Sequence, residues 1–155
     1  MEANRIEEKI YKYGVDILAS EGMQKEKTFV QHGSITCYDH SLRVAEKSLE
    51  LAEKCSAYID ERSLVRGALL HDYFLYDWHE KDGGHRLHGF RHPAFALYNA
   101  SKDFSLNRKE RNIIARHMFP LTVLPPRCLE AWIVCFVDKY CAFSETMGDS
   151  RIQWE

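Results

Sequence analysis

Apolar residues recur at helical spacing along most of the chain, and no segment shows the two-residue alternation of a convincing strand. In residues 3–20 an apolar side chain returns on one helical face at every third or fourth position: Ile6, Ile10, Tyr13 and Ile17. This spacing predicts an amphipathic helix. A second, short helix is predicted over residues 22–31, ending near Gly33.

Short polar side chains mark the starts of the next two helices. Ser34 or Thr36 could cap a long helix over residues 37–55, because a side-chain oxygen there can accept from an unpaired backbone N–H. Asp60 suits the same role ahead of a helix over residues 61–76. Both helices carry an apolar stripe, so both are expected to pack on a common core.

Three further signals predict the helices of the C-terminal half. Pro93 suits the first turn of a helix through residues 94–104, where its missing N–H costs nothing. Asn107 and Glu110 have the spacing of a capping box at the start of another helix. The last helix, residues 128–145, is apolar almost all round, which predicts central burial.

The segment of residues 76–91 is rich in glycine, histidine and charge and is predicted to be an ordered functional loop. The whole pattern predicts one all-α domain, a bundle of about six or seven helices. Residues 1–34 would supply N-terminal helices that pack on a core of residues 35–146, followed by a C-terminal tail of residues 147–155.

Composition narrows the function classes. A formal net charge of −2 gives no electrostatic footprint for a nucleic acid polymer. No apolar run has membrane-spanning length and the N-terminus is too polar for a secretory signal, so no membrane partner is expected. The five cysteines form no C-x-x-C pair, and an odd number suits a reducing, cytoplasmic location.

Candidate chemistry lies in six widely spaced side chains that can bind metal ions. They fall one or two per predicted helix: His40, His71, Asp72, His92, His117 and Asp138. Imidazole and carboxylate suit divalent transition metals, and several of the six lie among apolar neighbours, where an unpaired ionisable group is costly to bury. Taken singly, each could be a satisfied core residue. The joint pattern therefore carries the prediction of one assembled metal site.

These residues resemble a known family. The order of His40, the doublet His71–Asp72 and Asp138, in the stretches DHSLRVA, GALLHDYF and IVCFVDKYCA, is similar to that of the HD-domain superfamily of metal-dependent phosphohydrolases. The resemblance covers roughly residues 35–145. The further histidines in RHPAFA and IIARHMFP are similar to those of the branch that holds two metal ions.

The resemblance implies two ions that share Asp72. The first would be held by four residues: His40, His71, Asp72 and Asp138. The second would be held by Asp72 with two more residues: His92 and His117. Four imidazoles suit one or two divalent transition-metal ions better than calcium. Iron or manganese is favoured, with zinc, cobalt or nickel as alternatives.

The resemblance also implies hydrolysis of a small nucleotide-like phosphoester or phosphoanhydride by metal-activated water. Besides Asp72, the predicted catalytic residues are Arg43 and Lys139, each close to a ligand on its own helix, and Asp77 as a general acid. Basic groups would also stabilise the phosphoryl charge. The predicted substrate-binding residues are Arg43, His88, Arg91, Arg116 and Lys139. Each could equally be a solvated surface group.

Two other functions stay open at this level. The same ligands resemble those of the di-iron oxygenases of the HD fold, such as myo-inositol oxygenase, which act on a polyol or phosphonate. A non-catalytic metal-binding or sensor protein is the third hypothesis, although its ligand set would be expected to have lost members. The expected partners are a small phosphorylated substrate and, through an apolar face of the N-terminal helix, a second copy in a homodimer.

Overall fold

The computed structural model describes residues 1–76 and 88–148, except for the side chain of Glu2. This part of the chain forms seven α-helices: α1 (Glu2–Leu18), α2 (Glu21–Lys25), α3 (Cys37–Glu53), α4 (Glu61–Leu70), α5 (His88–Asp103), α6 (Arg108–Arg116) and α7 (Leu129–Thr146). A 3-10 turn at Glu26–Thr28 precedes an antiparallel hairpin of β1 (Val30–His32) and β2 (Ile35–Thr36). The predicted all-α bundle is confirmed.

Three predicted helix starts are confirmed by their caps. Of the two candidates before α3, Thr36 is the N-cap, and its side chain accepts a hydrogen bond from a backbone N–H of the first turn. Asp60 caps α4 in the same way. Asn107 and Glu110 form the capping box of α6. These side chains satisfy N–H groups that the first turn of a helix leaves without partners.

The predicted helix over residues 22–31 is only partly correct. α2 ends at Lys25, and the chain then forms β1, which turns at Gly33 and pairs with β2. Gly33 has a φ of +58°, which glycine adopts without a steric penalty. Over so short an apolar run, helical and strand spacing cannot be told apart. The consequence for the site is that Gln31 points inward and is buried.

The helices on either side of the glycine-rich segment also differ from the prediction. α4 ends at Leu70, well before residue 76. α5 begins at His88, so the end of the predicted loop is helical and Pro93 lies in the second turn rather than the first. In this additional turn the ring of His88 stacks on that of His92, with centroids 4.5 Å apart. Residues 77–87 of the predicted loop lie outside the described residues.

The helix at the centre of the bundle is α4, not α7. α4 contacts α1, α3, α6 and α7, and every residue from Ser63 to Leu70 is buried. α7 packs one side against α3, α4 and α6 but leaves an equally apolar outer side exposed, including Phe136 and Phe143. The prediction of central burial for the last helix is therefore wrong. An apolar sequence all round does not show that both sides of a helix are covered within one chain.

One hydrophobic cluster contains side chains from all seven helices. It holds the C-terminal ends of α4 and α6 against the middle of α7, where the candidate ligands meet. Within the described part of the chain, no helix combines the length and the apolar character that crossing a bilayer requires.

Candidate metal centre

The six candidate ligands converge from five helices on one buried centre. His71 and His117 are the C-cap residues of α4 and α6, and Asp72 directly follows His71. The other three lie within helices: His40 in α3, His92 in α5 and Asp138 in α7. None of the six is more than 8% exposed.

The early end of α4 allows His71 and Asp72 to face the same point. Neighbouring residues inside a helix point about 100° apart, which would have separated the two side chains. Because the helix stops at Leu70, His71 Nε2 and Asp72 Oδ2 lie only 3.3 Å apart. The doublet therefore contributes both of its side chains to the centre.

The first group of donors consists of His40, His71, Asp72 and Asp138. Asp138 Oδ1 lies 2.9 Å from His40 Nε2 and 3.2 Å from His71 Nε2. Asp72 Oδ2 lies 3.7 Å from His40 Nε2. Donors that each lie about 2.1 Å from one transition-metal ion are about 3 Å from each other. The four residues therefore have the spacing that a single ion requires.

The second group consists of Asp72, His92 and His117. Asp72 Oδ1 lies 3.2 Å from His92 Nε2 and 3.3 Å from His117 Nε2, and the two Nε2 atoms are 2.8 Å apart. The two oxygens of Asp72 thus face different groups, which is the arrangement of a bridging carboxylate. Gln31 Nε2 donates to Asp72 Oδ2 at 2.7 Å and fixes its plane.

Backbone hydrogen bonds orient three of the four imidazoles. Each Nδ1 lies close to a carbonyl oxygen: His71 to Ala68 O (2.6 Å), His92 to His88 O (2.9 Å) and His117 to Ile114 O (2.8 Å). A carbonyl can only accept, so each Nδ1 carries a proton, and each ring in its neutral form presents a lone pair at Nε2. This is the form in which histidine binds a metal.

This orientation tests whether the residues fit a metal ion. The lone pairs of His92 and His117 face each other across 2.8 Å and repel unless a cation or a proton lies between them. Asp72 Oδ1 beside them is buried and has no hydrogen-bond partner among the described residues. An unpaired buried carboxylate oxygen is costly. A divalent ion would satisfy all three atoms, so these donors fit a metal ion.

His40 is oriented differently, by a carboxylate. Its Nδ1 lies 2.8 Å from Glu145 Oε2, while its Nε2 faces Asp138. Arg43 in turn approaches Glu145 Oε1 with its Nη1 at 3.4 Å. A carboxylate behind a metal-facing histidine fixes the ring and makes it a better ligand. Glu145 therefore supports His40 from the side opposite to the centre.

The charges of the centre are strongly coupled. Burial alone would raise the pKa of Asp138, but hydrogen bonds from His40 and His71 bring it well below its usual range. Burial alone would lower the pKa of His40, but hydrogen bonds to Asp138 and Glu145 raise it to about 9. The carboxylates are thus ionised and protons on imidazoles balance them. Divalent ions would take the place of those protons.

A cavity of about 700 Å³ opens beside the two groups. Its lining includes Asp72, His92 and Asp138 from the centre, together with two predicted substrate-binding residues, His88 and Lys139. Lys139 Nζ also donates to the carbonyl oxygen of His117 at 2.9 Å. Other parts of the wall are apolar: Met118, Pro120, Leu121 and Ala142. The cavity can thus hold a molecule with both polar and apolar parts.

The predicted arginines lie elsewhere, and their phosphate contacts stay predictions. Arg43 is buried beside Glu145 and is not among the residues that line the cavity. Arg91 lies over the ring of Phe95, in a neighbouring groove. Arg116 donates to a backbone carbonyl of the turn before α7. Asp77, the predicted general acid, lies outside the described residues.

Three residues of the site were missed in the sequence. Glu145 lies seven residues after Asp138, two helical turns away on the same face, so the spacing could have indicated it. Gln31 had no such signal, because its position depends on the hairpin that replaces the predicted helix. A third residue, His32, lines the cavity, and its ring centroid is 5.7 Å from that of His40.

Comparison with known proteins adds one finding. A family model described as HD domain matches residues 37–142, a range that contains all six candidate ligands. The match confirms the family resemblance inferred from the signature stretches. No curated protein and no solved structure matches the chain.

Proposed function

The chain belongs to the HD-domain family, and we propose that it is a metal-dependent phosphohydrolase that cleaves a small nucleotide-like phosphoester or phosphoanhydride. The observation that carries this proposal is that two groups of buried donors share Asp72. Divalent ions bound there would supply a water acidified enough to be a nucleophile near neutral pH and would polarise the phosphoryl oxygens. Four imidazoles with two carboxylates accept several divalent transition metals, of which we expect iron or manganese.

Residues of the chain would position the substrate between the centre and the cavity wall. Lys139 borders the cavity next to Asp138 on α7, where its charge would stabilise phosphoryl oxygens as negative charge develops on them. His88 borders the cavity on the side of the second group, and imidazole exchanges protons near neutral pH. His88 is therefore the described residue best placed to give a proton to the leaving group.

The apolar wall favours a substrate with an organic group attached to its phosphate. Met118 and Leu121 offer surface on which a base-like ring could lie, while Lys139 and the metal donors face the phosphoryl end. A volume of about 700 Å³ suits a nucleotide-sized molecule. This arrangement supports a small organic phosphate over a polymeric substrate.

Arg43 is assigned a positioning role by its place in the fold. It approaches Glu145, which holds His40 Nδ1, so its charge acts on the centre through two other side chains. The sequence predicted a direct contact between Arg43 and the substrate. For that contact the substrate would have to approach from the side of His40 that faces away from the centre.

Elemental analysis of protein purified without added metal tests the ligand assignment. We expect two transition-metal ions per chain, and one in His117→Ala, because the second group loses one of its three donors. The control is Asp39→Asn, which alters an exposed carboxylate next to His40 and should leave the count at two. Equal metal content in wild type and His117→Ala would contradict the two-ion assignment.

Phosphate release from a panel of nucleoside phosphates and simple phosphomonoesters tests the reaction. Wild type loaded with iron or manganese should release phosphate, and Asp138→Asn should lose at least about 100-fold in rate, because an amide is a far weaker ligand than a carboxylate. Asp39→Asn should keep the wild-type rate. A metal-loaded wild type that releases no phosphate from the panel would contradict the proposed reaction.

One control experiment distinguishes the oxygenase alternative from phosphate hydrolysis. The same donor set could hold two irons, and the apolar cavity wall would also accept a substrate oxidised by dioxygen. Oxygen uptake by the iron-loaded protein in the presence of a polyol or phosphonate, without phosphate release, would favour that reaction over hydrolysis.

A further inference from the structure

The outer face of α7 carries an apolar stripe that the described part of the chain leaves largely exposed. Its six members are between 41% and 69% exposed: Leu129, Trp132, Phe136, Tyr140, Phe143 and Met147. Their spacing of three or four residues keeps them within about 80° of arc at about 100° per residue. The solvent-facing side of a helix is normally polar, so this stripe is suited to a partner.

No charged group interrupts the stripe. Lys139 lies at its edge, but its Nζ donates to the carbonyl oxygens of His117 and Cys135 and so turns away from the apolar face. The acidic residues of α7 are buried on other sides of the helix: Glu130, Asp138 and Glu145. A partner surface therefore needs to be apolar along the full length of the helix.

The exposed area of the stripe matches what one half of a stable interface requires. At about 200 Å² for a large side chain, the exposed fractions correspond to about 700 Å². Two copies that cover each other would then bury close to 1,400 Å² in total, which lies within the usual range of about 1,200–2,000 Å² for specific interfaces. When it is fully covered, the stripe thus supplies the area of a specific dimer interface.

The order of side chains in the stripe makes it complementary to itself. Leu129 and Met147 are equally far from the level of Asp138, and so are Phe136 and Tyr140. In an antiparallel pair with a two-fold axis at that level, Phe136 would meet Tyr140 of the second copy and Leu129 would meet its Met147. Large apolar groups would face large apolar groups at these two levels, as an isologous interface requires, and Trp132 would lie one residue from the level opposite Phe143.

We propose that α7 pairs with α7 of a second copy of the chain, antiparallel about a two-fold axis at the level of Asp138. This places the homodimer contact on the last helix rather than on the N-terminal helix expected from the sequence. The cavity borders the proposed contact: of the three α7 residues that line it, Asp138 and Ala142 point more than about 100° away from the centre of the stripe, and Lys139 lies at its edge. The proposal does not depend on the reaction that the centre catalyses.

Sedimentation velocity of the full chain and of two variants tests the pairing. Wild type should be a dimer at micromolar concentration, and Phe136→Glu or Tyr140→Lys should each weaken association by at least about 100-fold, since a charge would enter the centre of an apolar interface. The control is Tyr58→Lys, which adds a charge at a side chain that is 87% exposed and outside the stripe. This variant should dimerise like wild type.

Mixing the two monomeric variants tests the antiparallel arrangement. Glutamate at position 136 of one chain would meet lysine at position 140 of the other, so the mixture should form a heterodimer that neither variant forms as a homodimer. Circular dichroism and metal content of each variant should equal those of wild type, because both side chains are more than half exposed and outside the centre.

Three results would overturn the proposal. The first is a wild type that stays monomeric up to about 100 µM, which would mean that the stripe does not bind a second copy. The second is dimerisation of both charged variants with wild-type affinity, which would place the interface elsewhere. The third is a mixture that stays monomeric, which would exclude the antiparallel register.

Discussion

The proton on Nδ1 of a histidine decides which ring atom is offered to a metal ion. Three imidazoles of the centre donate this N–H to backbone carbonyls. Two of these carbonyls belong to the last turn of a helix, where a carbonyl has no partner within the helix. His40 donates its Nδ1–H to the carboxylate of Glu145 instead. The orientation of His40 thus depends on one side chain, and that side chain can be changed without touching a ligand.

Glu145→Gln should weaken metal binding at the first group by about 10-fold or more, because a neutral amide holds His40 less firmly and adds less negative charge to the ring. Binding at the second group, which does not contain His40, should stay within about two-fold of wild type. Isothermal titration of the apo-protein with manganese measures both. The control is Glu50→Gln, which changes a carboxylate that pairs with Lys47 on α3, the helix that also carries His40. Equal loss at both groups would indicate a general structural defect instead.

Glu46 on α3 should limit stability at neutral pH. Burial, followed by the charge of Glu50, raises its pKa from 4.5 to about 7. The folded state therefore binds this proton more tightly than the unfolded state. The stabilising contribution is complete below about pH 4.5 and is lost as the pH rises through 7.

Glu46→Gln should therefore be more stable than wild type by about 1 to 2 kcal/mol above pH 7, a figure reduced for partial solvent screening, and equal to it near pH 4.5. Urea unfolding of both proteins across this pH range measures the difference. Glu8→Gln, at an exposed position of α1, serves as the control and should give no pH-dependent difference. A Glu46→Gln gain that stays constant with pH would contradict the role of the buried charge.

At the scale of helices, the relative placement of α4 and α6 sets the distance between the doublet and His117. Gly67 of α4 allows this close approach, because a Cβ built there would clash with Ile113 Cδ1 and would lie 2.8 Å from Ile113 Cβ. The Ile113 Cβ is fixed to the backbone of α6, so the helix itself would have to move. Close packing against Ile113 thus explains why a glycine stands at position 67, within the GALLHDYF stretch.

Gly67→Ala should destabilise the protein by about 1 to 3 kcal/mol from overpacking, partly offset by about 1 kcal/mol from the better helix propensity of alanine. It should also displace His117 and lower occupancy of the second metal group more than that of the first. Chemical denaturation and elemental analysis measure the two effects. Gly33→Ala is not a suitable control because of its positive φ, but Ala57→Gly, outside the helices, changes volume without touching α6. A fully stable Gly67→Ala protein with two ions would contradict this view of the contact.

Elements set by local chemistry were predictable from the sequence, and elements set by distant contacts were not. The caps at Thr36, Asp60 and Asn107 depend on residues within one turn, so the sequence contains all the information. The end of α4 and the hairpin before α3 depend on packing against other helices. The exposed side of α7 could not be predicted either, because apolar residues look alike whether the chain itself or a second chain covers them.

The whole molecule has its candidate ligands on five helices, so the centre joins most of the bundle. The six ligands were predictable because their residue types are costly to bury without a partner, which makes them conspicuous in apolar surroundings. Gln31 and the cavity wall were not, because ordinary amide and apolar side chains have no such signal. Joining five helices also has a consequence for stability that can be measured without a substrate.

Chelation of the metal ions should lower the melting temperature by about 10 to 20 °C. Each ion, at a free concentration of 100 times its dissociation constant, stabilises the folded state by about 2.7 kcal/mol, so two ions contribute about 5.4 kcal/mol. Each kcal/mol raises the melting temperature by about 2–4 °C in a chain of this size. Differential scanning calorimetry with and without EDTA measures the shift, and added manganese should reverse it. Asp138→Asn should show about half of this shift, since the first group has lost a carboxylate while the second keeps its three donors. If EDTA removed the metal and the melting temperature did not change, the five helices would be held by the hydrophobic cluster alone, and the centre would contribute to chemistry but not to folding.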